Sequence, residues 1–119
     1  MVDITAKQIS LREATATATI TCTSDTIDMI KNGYIPKGNI FEFARSAAFF
    51  AAKKTDDLLP HCHPVTIDGM KVEFEIEADK IIITGTAKSI GRTGIEMEIL
   101  TGVSVAALTI YDMLKPVDK

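Results

Sequence analysis

The segment from Thr93 to Lys119 constrains the fold more than any other part of the chain, because it is apolar enough to be buried. Drawn as a helix, it places apolar residues at i, i+3, i+7, i+10 and i+14. These residues form one stripe: Leu100, Val103, Ala107, Ile110 and Leu114. A second stripe on the far side is half apolar and half ionic, and consists of Glu98, Thr101, Val105, Leu108, Asp112 and Lys115. A surface helix would not place Val105 and Leu108 among exposed charges without reason. We therefore expect both sides of this helix to be covered.

The composition indicates one globular domain over residues 1–119. The apolar fraction is 46% and the charged fraction 24%, values that are typical of a folded domain rather than a disordered chain. The net charge of −3 argues against general nucleic-acid binding. The start of the chain lacks the apolar core of a signal peptide, and no run is long enough to span a membrane. Cys22 and Cys62 have no disulfide-framework spacing. We expect a cytoplasmic protein with free thiols and no membrane partner.

Strands are predicted in both halves of the chain. Residues 14–23 alternate Thr with Ala and Ile, a period-two pattern of β-branched residues. Three further strands are predicted at 65–68, 71–77 and 80–90, and a short hairpin joins the last two.

Helices are predicted between and after these strands. They run from a cap at Ser24 or Asp25 to Lys31, over 40–57 after a cap at Asn39, and from a Thr93–Glu96 capping box to Lys115 or just before it. The expected fold class is α+β. We expect an antiparallel sheet with two long helices packed on one face, in a single-domain, two-layer sandwich.

Asp112 is the first candidate for chemistry. It lies in the last turn of its helix, where an exposed acid is unfavourable by about 0.3–1 kcal/mol. Leu108 and Tyr111 are its neighbours, and Lys115 follows one turn later. A carboxylate held among apolar groups beside a cation suits proton transfer near neutral pH. The alternative is an ordinary i, i+3 ion pair on a helix surface, and spacing alone favours that alternative.

Glu96 and Glu98 cannot act as paired carboxylates on one helix face, because residues two apart point about 200° away from each other. Glu98 lies on the same side as Asp112, whereas Glu96 is the acid of the predicted capping box. We therefore take Glu98 as a site candidate and Glu96 as structural.

The loop His61-Cys62-His63 has residue types that bind metals. Three consecutive residues rarely converge on one ion, and the chain has too few other Cys or His residues to complete a tetrahedral shell, so we expect no metal site. A histidine held rigid by Pro64 can instead bind an anion or move a proton. The alternative is a partly exposed turn without a function.

Basic residues could line a pocket for a polyanion in spite of the negative net charge: Lys37, Arg45, Lys53, Lys54, Arg92, Lys115 and Lys119. No Walker loop or dinucleotide fingerprint is present, and the turn Gly91–Gly94 is only a weak anion-binding signal. We expect most of these residues to be solvated.

Five blocks of the sequence form a specific set. They are MVDIT at the start, KGNI at 37–40, ARSA with AAKKT within 44–55, LPHCHP at 59–64, and GRTGIEME with VSVAALTIYDM within 91–113. In content and order these blocks resemble the cyclic pyranopterin monophosphate synthases of molybdenum cofactor biosynthesis, the MoaC family. The resemblance covers nearly the whole chain, and the CHP loop combined with EME and IYDM is highly specific.

The resemblance implies a lyase that converts (8S)-3′,8-cyclo-7,8-dihydroguanosine 5′-triphosphate to cyclic pyranopterin monophosphate and diphosphate. It implies a homohexamer, built as a trimer of dimers, with active sites at subunit interfaces. It also implies Asp112 and Lys115 as catalytic residues. The implied substrate-binding residues are His61, Cys62, His63, Met97, Glu98 and Lys37. Lys37 and protonated His63 are expected to face the triphosphate. We expect no cofactor, and a magnesium ion accompanying the triphosphate stays open.

The chain departs from the family pattern in two places. His61 occupies a position that is usually aliphatic. The family also continues beyond the equivalent of Lys119 with another strand and a Gly- and Lys-rich tail that carries a second functional lysine, and we expect both to be absent here. Two other functions stay open: a pterin- or nucleotide-binding module without turnover, and a structural oligomerisation domain.

Overall fold

A computed structural model describes residues 1–118 and shows a three-stranded sheet with helices on one face. Lys119, one of the basic residues considered for a polyanion pocket, lies outside the described residues. The elements in chain order are β1 (Ser10–Thr21), α1 (Ser24–Lys31), α2 (Ile40–Lys53), α3 (Thr55–Leu58), β2 (Gly69–Ile76), β3 (Lys80–Gly91) and α4 (Glu96–Leu114). The strand order is β1-β3-β2 and both pairings are antiparallel. The α+β fold class is therefore confirmed.

The sheet buries one face, and the period-two pattern of β1 decides which one. β1 pairs with β3 along its whole length, from Ser10 opposite Gly91 to Thr21 opposite Lys80. Alternate side chains of a strand point to opposite faces, so β1 turns its small Ala side chains towards the helices and its Thr side chains to solvent. The result is an antiparallel sheet with one apolar and one solvated face.

α2 and α4 form the second layer and run in opposite directions. Lys37, just before α2, contacts Asp112 near the end of α4, whereas Gly102 in the middle of α4 lies against α2. A Cβ at Gly102 would come within 3.3 Å of the backbone oxygen of Ala48 and 3.0 Å of Met70 Cε. The glycine therefore allows the two helices to approach closely over the sheet.

α4 buries a side that the sequence stripe does not predict. Its buried residues are Glu98, Ile99, Gly102, Val103, Ala106, Ile110, Met113 and Leu114. At about 100° per residue, the centre of this side is rotated by roughly 70° from the predicted stripe. The reason is α2, which covers the Gly102 side of the helix. Leu100 is consequently exposed and Glu98 is buried. The expectation that both sides of α4 are covered is not met within one chain.

α4 is also long and apolar enough to cross a membrane by length and composition alone. The expectation that no run is long enough was wrong on that count. The same criteria are met by core helices of globular domains, and the buried side of α4 belongs to the core that it shares with α2 and the sheet.

The helix predicted over 40–57 ends earlier, at Lys53, and a short helix follows. The hydroxyl of Thr55 donates to the carbonyls of Ala51 and Ala52, at 3.3 and 2.8 Å. These carbonyls are the acceptors that a continuing helix would use, so the side chain competes with the backbone and breaks the helix.

The strand predicted at 65–68 is wrong. This segment lies beside the end of β3 and is held there by one backbone bond, from the Asp68 N–H to the Lys88 oxygen at 2.9 Å, and by two side-chain bonds rather than by a regular ladder. Ser89 Oγ donates to the backbone oxygen of Thr66 at 2.7 Å, and the backbone N–H of Ile90 donates to Asp68 Oδ2 at 2.8 Å. These bonds fix the chain that leaves the His61–His63 loop.

The capping box predicted at Thr93 and Glu96 does not form. The N-cap of α4 is Ile95, which is fully buried and makes no side-chain cap. The Glu96 carboxylate folds back over Gly94, where any Cβ would collide with it.

Candidate active site

The predicted site residues fall into two clusters at opposite ends of α4. The loop cluster, at the start of α4, consists of His61, Cys62, His63, Met97 and Glu98. The lysine cluster, at the end of α4, consists of Lys37, Asp112 and Lys115. Glu98 and Asp112 are 14 positions apart in the helix (112 − 98), which corresponds to about 21 Å along its axis. One chain therefore does not bring the two clusters together.

In the lysine cluster, Asp112 pairs with Lys37. Lys37 Nζ lies 3.7 Å from Asp112 Oδ2 and donates to the Asp112 backbone oxygen at 3.1 Å. The ammonium thus meets the negative end of the α4 dipole as well as the carboxylate. Within residues 1–118 no salt bridge joins Asp112 to Lys115, although their spacing suggested one. Lys115 is instead the C-cap residue of α4.

Asp112 is open to solvent in the single chain, contrary to the apolar surroundings expected for it. Its side chain is 68% exposed and that of Lys37 is 45% exposed. Leu108 and Tyr111 are 65% and 64% exposed. An exposed pair of this kind stabilises a fold by only about 0–1 kcal/mol. The pair adds little stability and is accessible to a ligand.

In the loop cluster, Glu98 is a buried carboxylate that contacts the Cys62 thiol. Glu98 is 3% exposed, and Cys62 Sγ donates to Glu98 Oε2 at 3.5 Å. Burial raises the pKa of Cys62 to about 11, and the Glu98 carboxylate contributes to this rise as a nearby charge and as a hydrogen-bond acceptor. A thiol with this pKa stays protonated at neutral pH. Cys62 is therefore a hydrogen-bond donor and not a thiolate nucleophile.

The N-terminal segment engages both histidines of the loop cluster. His63 Nε2 donates to the backbone oxygen of Val2 at 2.7 Å, and His61 Nδ1 lies 3.0 Å from the Met1 amino nitrogen. Hydrogen bonds from the backbone and hydroxyl of Thr5 lower the pKa of Asp3, and the nearby His63 lowers it further. In the sequence these N-terminal residues contribute only to the family resemblance. Their position beside His63 follows from the fold, because about 60 residues of chain separate them.

The remaining member of the loop cluster, Met97, lies in the first turn of α4 and is partly exposed. Within residues 1–118, no group of three or more His, Cys, Asp or Glu side chains could hold a metal ion.

Each cluster adjoins a cavity. A cavity of about 550 Å³ lies beside the loop that contains His63 and is lined by residues 4–5, 64–66 and 89–93. A smaller cavity of about 230 Å³ is lined by Lys115 of the lysine cluster and by Tyr111. Cys22 also lines this cavity, and burial raises the pKa of its thiol. The two ends of α4 thus offer two separate recesses.

The sequence matches the MoaC family over residues 1–119. It is 52% identical, over 121 positions, to the cyclic pyranopterin monophosphate synthase of Clostridium perfringens (strain 13 / Type A); the alignment covers all of this chain and 77% of that protein. It is 49% identical over 119 positions to the synthase of the same name from Peptoclostridium acidaminophilum, with 100% and 76% covered. A synthase of that name from Novosphingobium aromaticivorans is 51% identical over 119 positions, with 100% and 76% covered.

Proposed function

The chain belongs to the MoaC family, and we propose that it converts (8S)-3′,8-cyclo-7,8-dihydroguanosine 5′-triphosphate to cyclic pyranopterin monophosphate and diphosphate. This is a lyase reaction of molybdenum cofactor biosynthesis. Relatives about half identical to this chain, and aligned with all of it, are named for the same product. The structural observation that carries the proposal is the exposed Lys37–Asp112 pair, a carboxylate and an ammonium 3.7 Å apart and open to a ligand.

The reaction needs proton transfers and a displacement at phosphorus. Rearrangement of the cyclised purine ribonucleotide moves protons between ring and sugar atoms, and a positioned acid or base accelerates each such transfer. Formation of the cyclic phosphate requires a ribose hydroxyl to attack the α-phosphorus; a new P–O bond forms, the bond to diphosphate breaks, and a base takes the hydroxyl proton. We assign the proton transfers to Asp112 with Lys115 as the catalytic lysine, and we place Lys37 as the cation that pairs with Asp112.

The loop cluster is assigned to substrate binding. Glu98 is a buried acceptor held in place by the Cys62 thiol, and Met97 adds an apolar contact surface at the helix start. His61 and His63 lie in the same loop and complete this set. We propose no resident cofactor, and a magnesium ion would enter only with the triphosphate of the substrate.

We further propose that each active site forms between two copies of the chain. One substrate has to contact both clusters, yet within a chain these lie about 21 Å apart along α4. If the α4 helices of two copies lie side by side in opposite directions, the loop cluster of one copy meets the lysine cluster of the other. A twofold axis then creates two identical sites per dimer. Three such dimers would form the proposed homohexamer.

The exposed surface of the helical layer supports this arrangement. Large apolar side chains are exposed on α4 (Met97, Leu100, Leu108 and Tyr111) and on α2 (Phe43 and Phe50). Apolar groups gathered on one layer of a small domain mark an interaction surface. Contact with a second copy would also supply the apolar surroundings that Asp112 lacks in the single chain. A cytoplasmic location is part of the same proposal and suits the free thiols Cys22 and Cys62.

The role of Asp112 can be tested by measuring diphosphate release from the cyclised dihydro-GTP. Asp112→Asn should lower kcat by about 10²–10⁴-fold, because it removes a group that exchanges protons with the substrate. The melting temperature should change little, since the Lys37–Asp112 pair of the single chain stabilises the fold by only about 0–1 kcal/mol. Asp28→Asn, which removes the same charge from an exposed position in α1, should behave like the parent.

The outcomes separate the alternatives. Near-normal turnover by a folded Asp112→Asn variant would refute the assignment of Asp112. A parent protein that binds the substrate but releases no diphosphate would be a binding module, and one that does neither would be a structural domain.

A further inference from the structure

Lys37 reaches Asp112 from a short loop that joins two buried residues. Ile35 and Ile40 are only 8% and 2% exposed, whereas the residues between them are exposed. Lys37 Nζ nevertheless donates to the Asp112 backbone oxygen at 3.1 Å. A lysine side chain is long and flexible, and it loses rotamer entropy when it is held in one place. The backbone of the loop therefore has to present Lys37 towards Asp112.

This loop folds as a β-turn that contains Lys37. The backbone N–H of Gly38 donates to the Ile35 oxygen at 3.1 Å, which is the hydrogen bond that closes such a turn. Pro36 follows Ile35, and its fixed φ of about −65° suits this position of a β-turn. Directly after the turn, the side chain of Asn39 caps the start of α2. Lys37 thus lies between a restricted proline and a capped helix.

Gly38 connects the turn to α2 through a backbone conformation that other residues rarely adopt. Its φ is +107°, and within residues 1–118 the only other positive φ is that of Gly33, at +74°. A Cβ at Gly38 would meet nothing closer than Phe43 Cε2, at 3.6 Å, which is an ordinary contact. The backbone conformation, and not a lack of space, therefore requires glycine at this position.

A side chain at position 38 would force the loop to take another path. Ile35 and Ile40 belong to the hydrophobic core and hold the two ends of the loop, and Pro36 cannot change its φ. The strain is therefore relieved in the exposed residues between them, which include Lys37. The ammonium then moves away from Asp112, and a misplacement of about 1 Å can lower a reaction rate by about 10²-fold.

We propose that Gly38 is a positioning residue for the reaction, and that its positive φ allows the turn to hold Lys37 against Asp112. The inference rests on the proposed function, in which Asp112 exchanges protons with the substrate. Gly38 acts through the backbone of its neighbour, because it has no side chain of its own to offer to a ligand. Its role follows from the contact between Lys37 and Asp112.

The test compares Gly38→Ala with Gly33→Ala in the release of diphosphate from the cyclised dihydro-GTP. Both substitutions add a Cβ to a backbone with positive φ, and neither Cβ would meet a steric clash. Both should therefore lower the melting temperature by a few degrees. Only Gly38→Ala should lower kcat/KM, by at least about tenfold, because Gly33 follows the end of α1 and does not adjoin Lys37. Equal activities of the two variants would overturn the proposal.

A double substitution distinguishes the positioning of Lys37 from a general role in the fold. In a Lys37→Gln background, Gly38→Ala should lower kcat/KM by less than about twofold, because the ammonium that it displaces is already absent. The same loss in both backgrounds would show that Gly38 only supports the fold of the loop.

Crystal structures of the variants give a readout that does not depend on activity. In Gly38→Ala, Lys37 Nζ should lie beyond hydrogen-bonding distance of the Asp112 backbone oxygen, whereas the parent and Gly33→Ala should keep this contact. An unchanged contact in Gly38→Ala would contradict the proposal. A parent that releases no diphosphate refutes the proposed function, and the structural comparison then still decides whether Gly38 positions Lys37. A turning-over parent whose kcat/KM is matched by Gly38→Ala refutes this inference alone.

Discussion

The Cys62 thiol and the Glu98 carboxylate form a contact that keeps the thiol protonated and orients the carboxylate. The carboxylate accepts a hydrogen bond from the thiol, and a thiolate at the same place would bring a second negative charge next to the buried carboxylate. Cys62 therefore remains a neutral donor, and its hydrogen bond orients the Glu98 carboxylate. This arrangement suits recognition of hydrogen-bond donors on a substrate and argues against covalent catalysis by the thiol.

The state of the thiol can be measured by alkylation. Burial and Glu98 raise the pKa of Cys62 to about 11, so its rate of reaction with iodoacetamide should keep rising up to about pH 11. The reaction rate of an unperturbed thiol levels off near its pKa of about 8.5. At pH 8 the folded protein should react roughly tenfold more slowly than the chain unfolded in urea, because little thiolate is present.

The measurement needs a Cys22→Ser background, so that one thiol reacts. Glu98→Gln removes the negative charge and should shift the rise in rate to lower pH. A rate that levels off near pH 9 in the folded parent, at about the pKa of a free thiol, would contradict the assigned contact.

At the scale of elements, α4 shows which features of a helix can be predicted from the sequence pattern and which cannot. Its existence and its end before Pro116 follow from apolar spacing and proline chemistry. Its buried side does not follow from the apolar spacing, because Gly102 is not part of the apolar stripe but forms the contact with α2. The same limit applies to α2, where the pattern predicts a helix but not the break that Thr55 causes through two backbone carbonyls.

The sequence names candidate site residues but does not predict their contacts. The family resemblance pointed to Asp112 and the loop cluster, whereas local spacing favoured an ordinary ion pair with Lys115. The observed partner of Asp112, Lys37, is 75 positions away, and no periodicity relates residues at such a distance.

The exposed side of α4 leads to a prediction about assembly. Leu108→Lys places a charge on the apolar surface and should dissociate the oligomer, which light scattering after size-exclusion chromatography would show as a lower mass. Activity should fall with it. The free energy of unfolding of the single chain should change by less than about 0.5 kcal/mol, because Leu108 is largely exposed within the chain.

Leu11→Lys provides the comparison for this surface. Leu11 is similarly exposed but lies on β1, away from the helical layer. That variant should keep the mass and activity of the parent. An unchanged mass for Leu108→Lys would show that the exposed side of α4 is not an interface.

At the scale of the whole molecule, the length of α4 decides where catalysis can occur. The helix separates the residues assigned to proton transfer from those assigned to binding by about 21 Å, and within residues 1–118 no loop folds them together. The same helix, paired with a copy in the opposite direction, would join each cluster to its complement. A dimer with a twofold axis would therefore complete the site at each end of α4, whereas a single chain contains two incomplete half-sites.

This arrangement predicts that two inactive variants restore activity when their chains are mixed. In a dimer of one Asp112→Asn chain with one Glu98→Gln chain, one site carries both substitutions and the other carries neither. Random exchange of subunits gives half mixed dimers, so roughly one quarter of the sites, and of the parent activity, should return. Asp112→Asn mixed with Lys115→Gln is the matched control. Both substitutions lie in the lysine cluster, every site in the mixed dimer keeps one of them, and no activity should return. Failure of the first mixture, with subunit exchange verified by mass, would place the whole site within one chain.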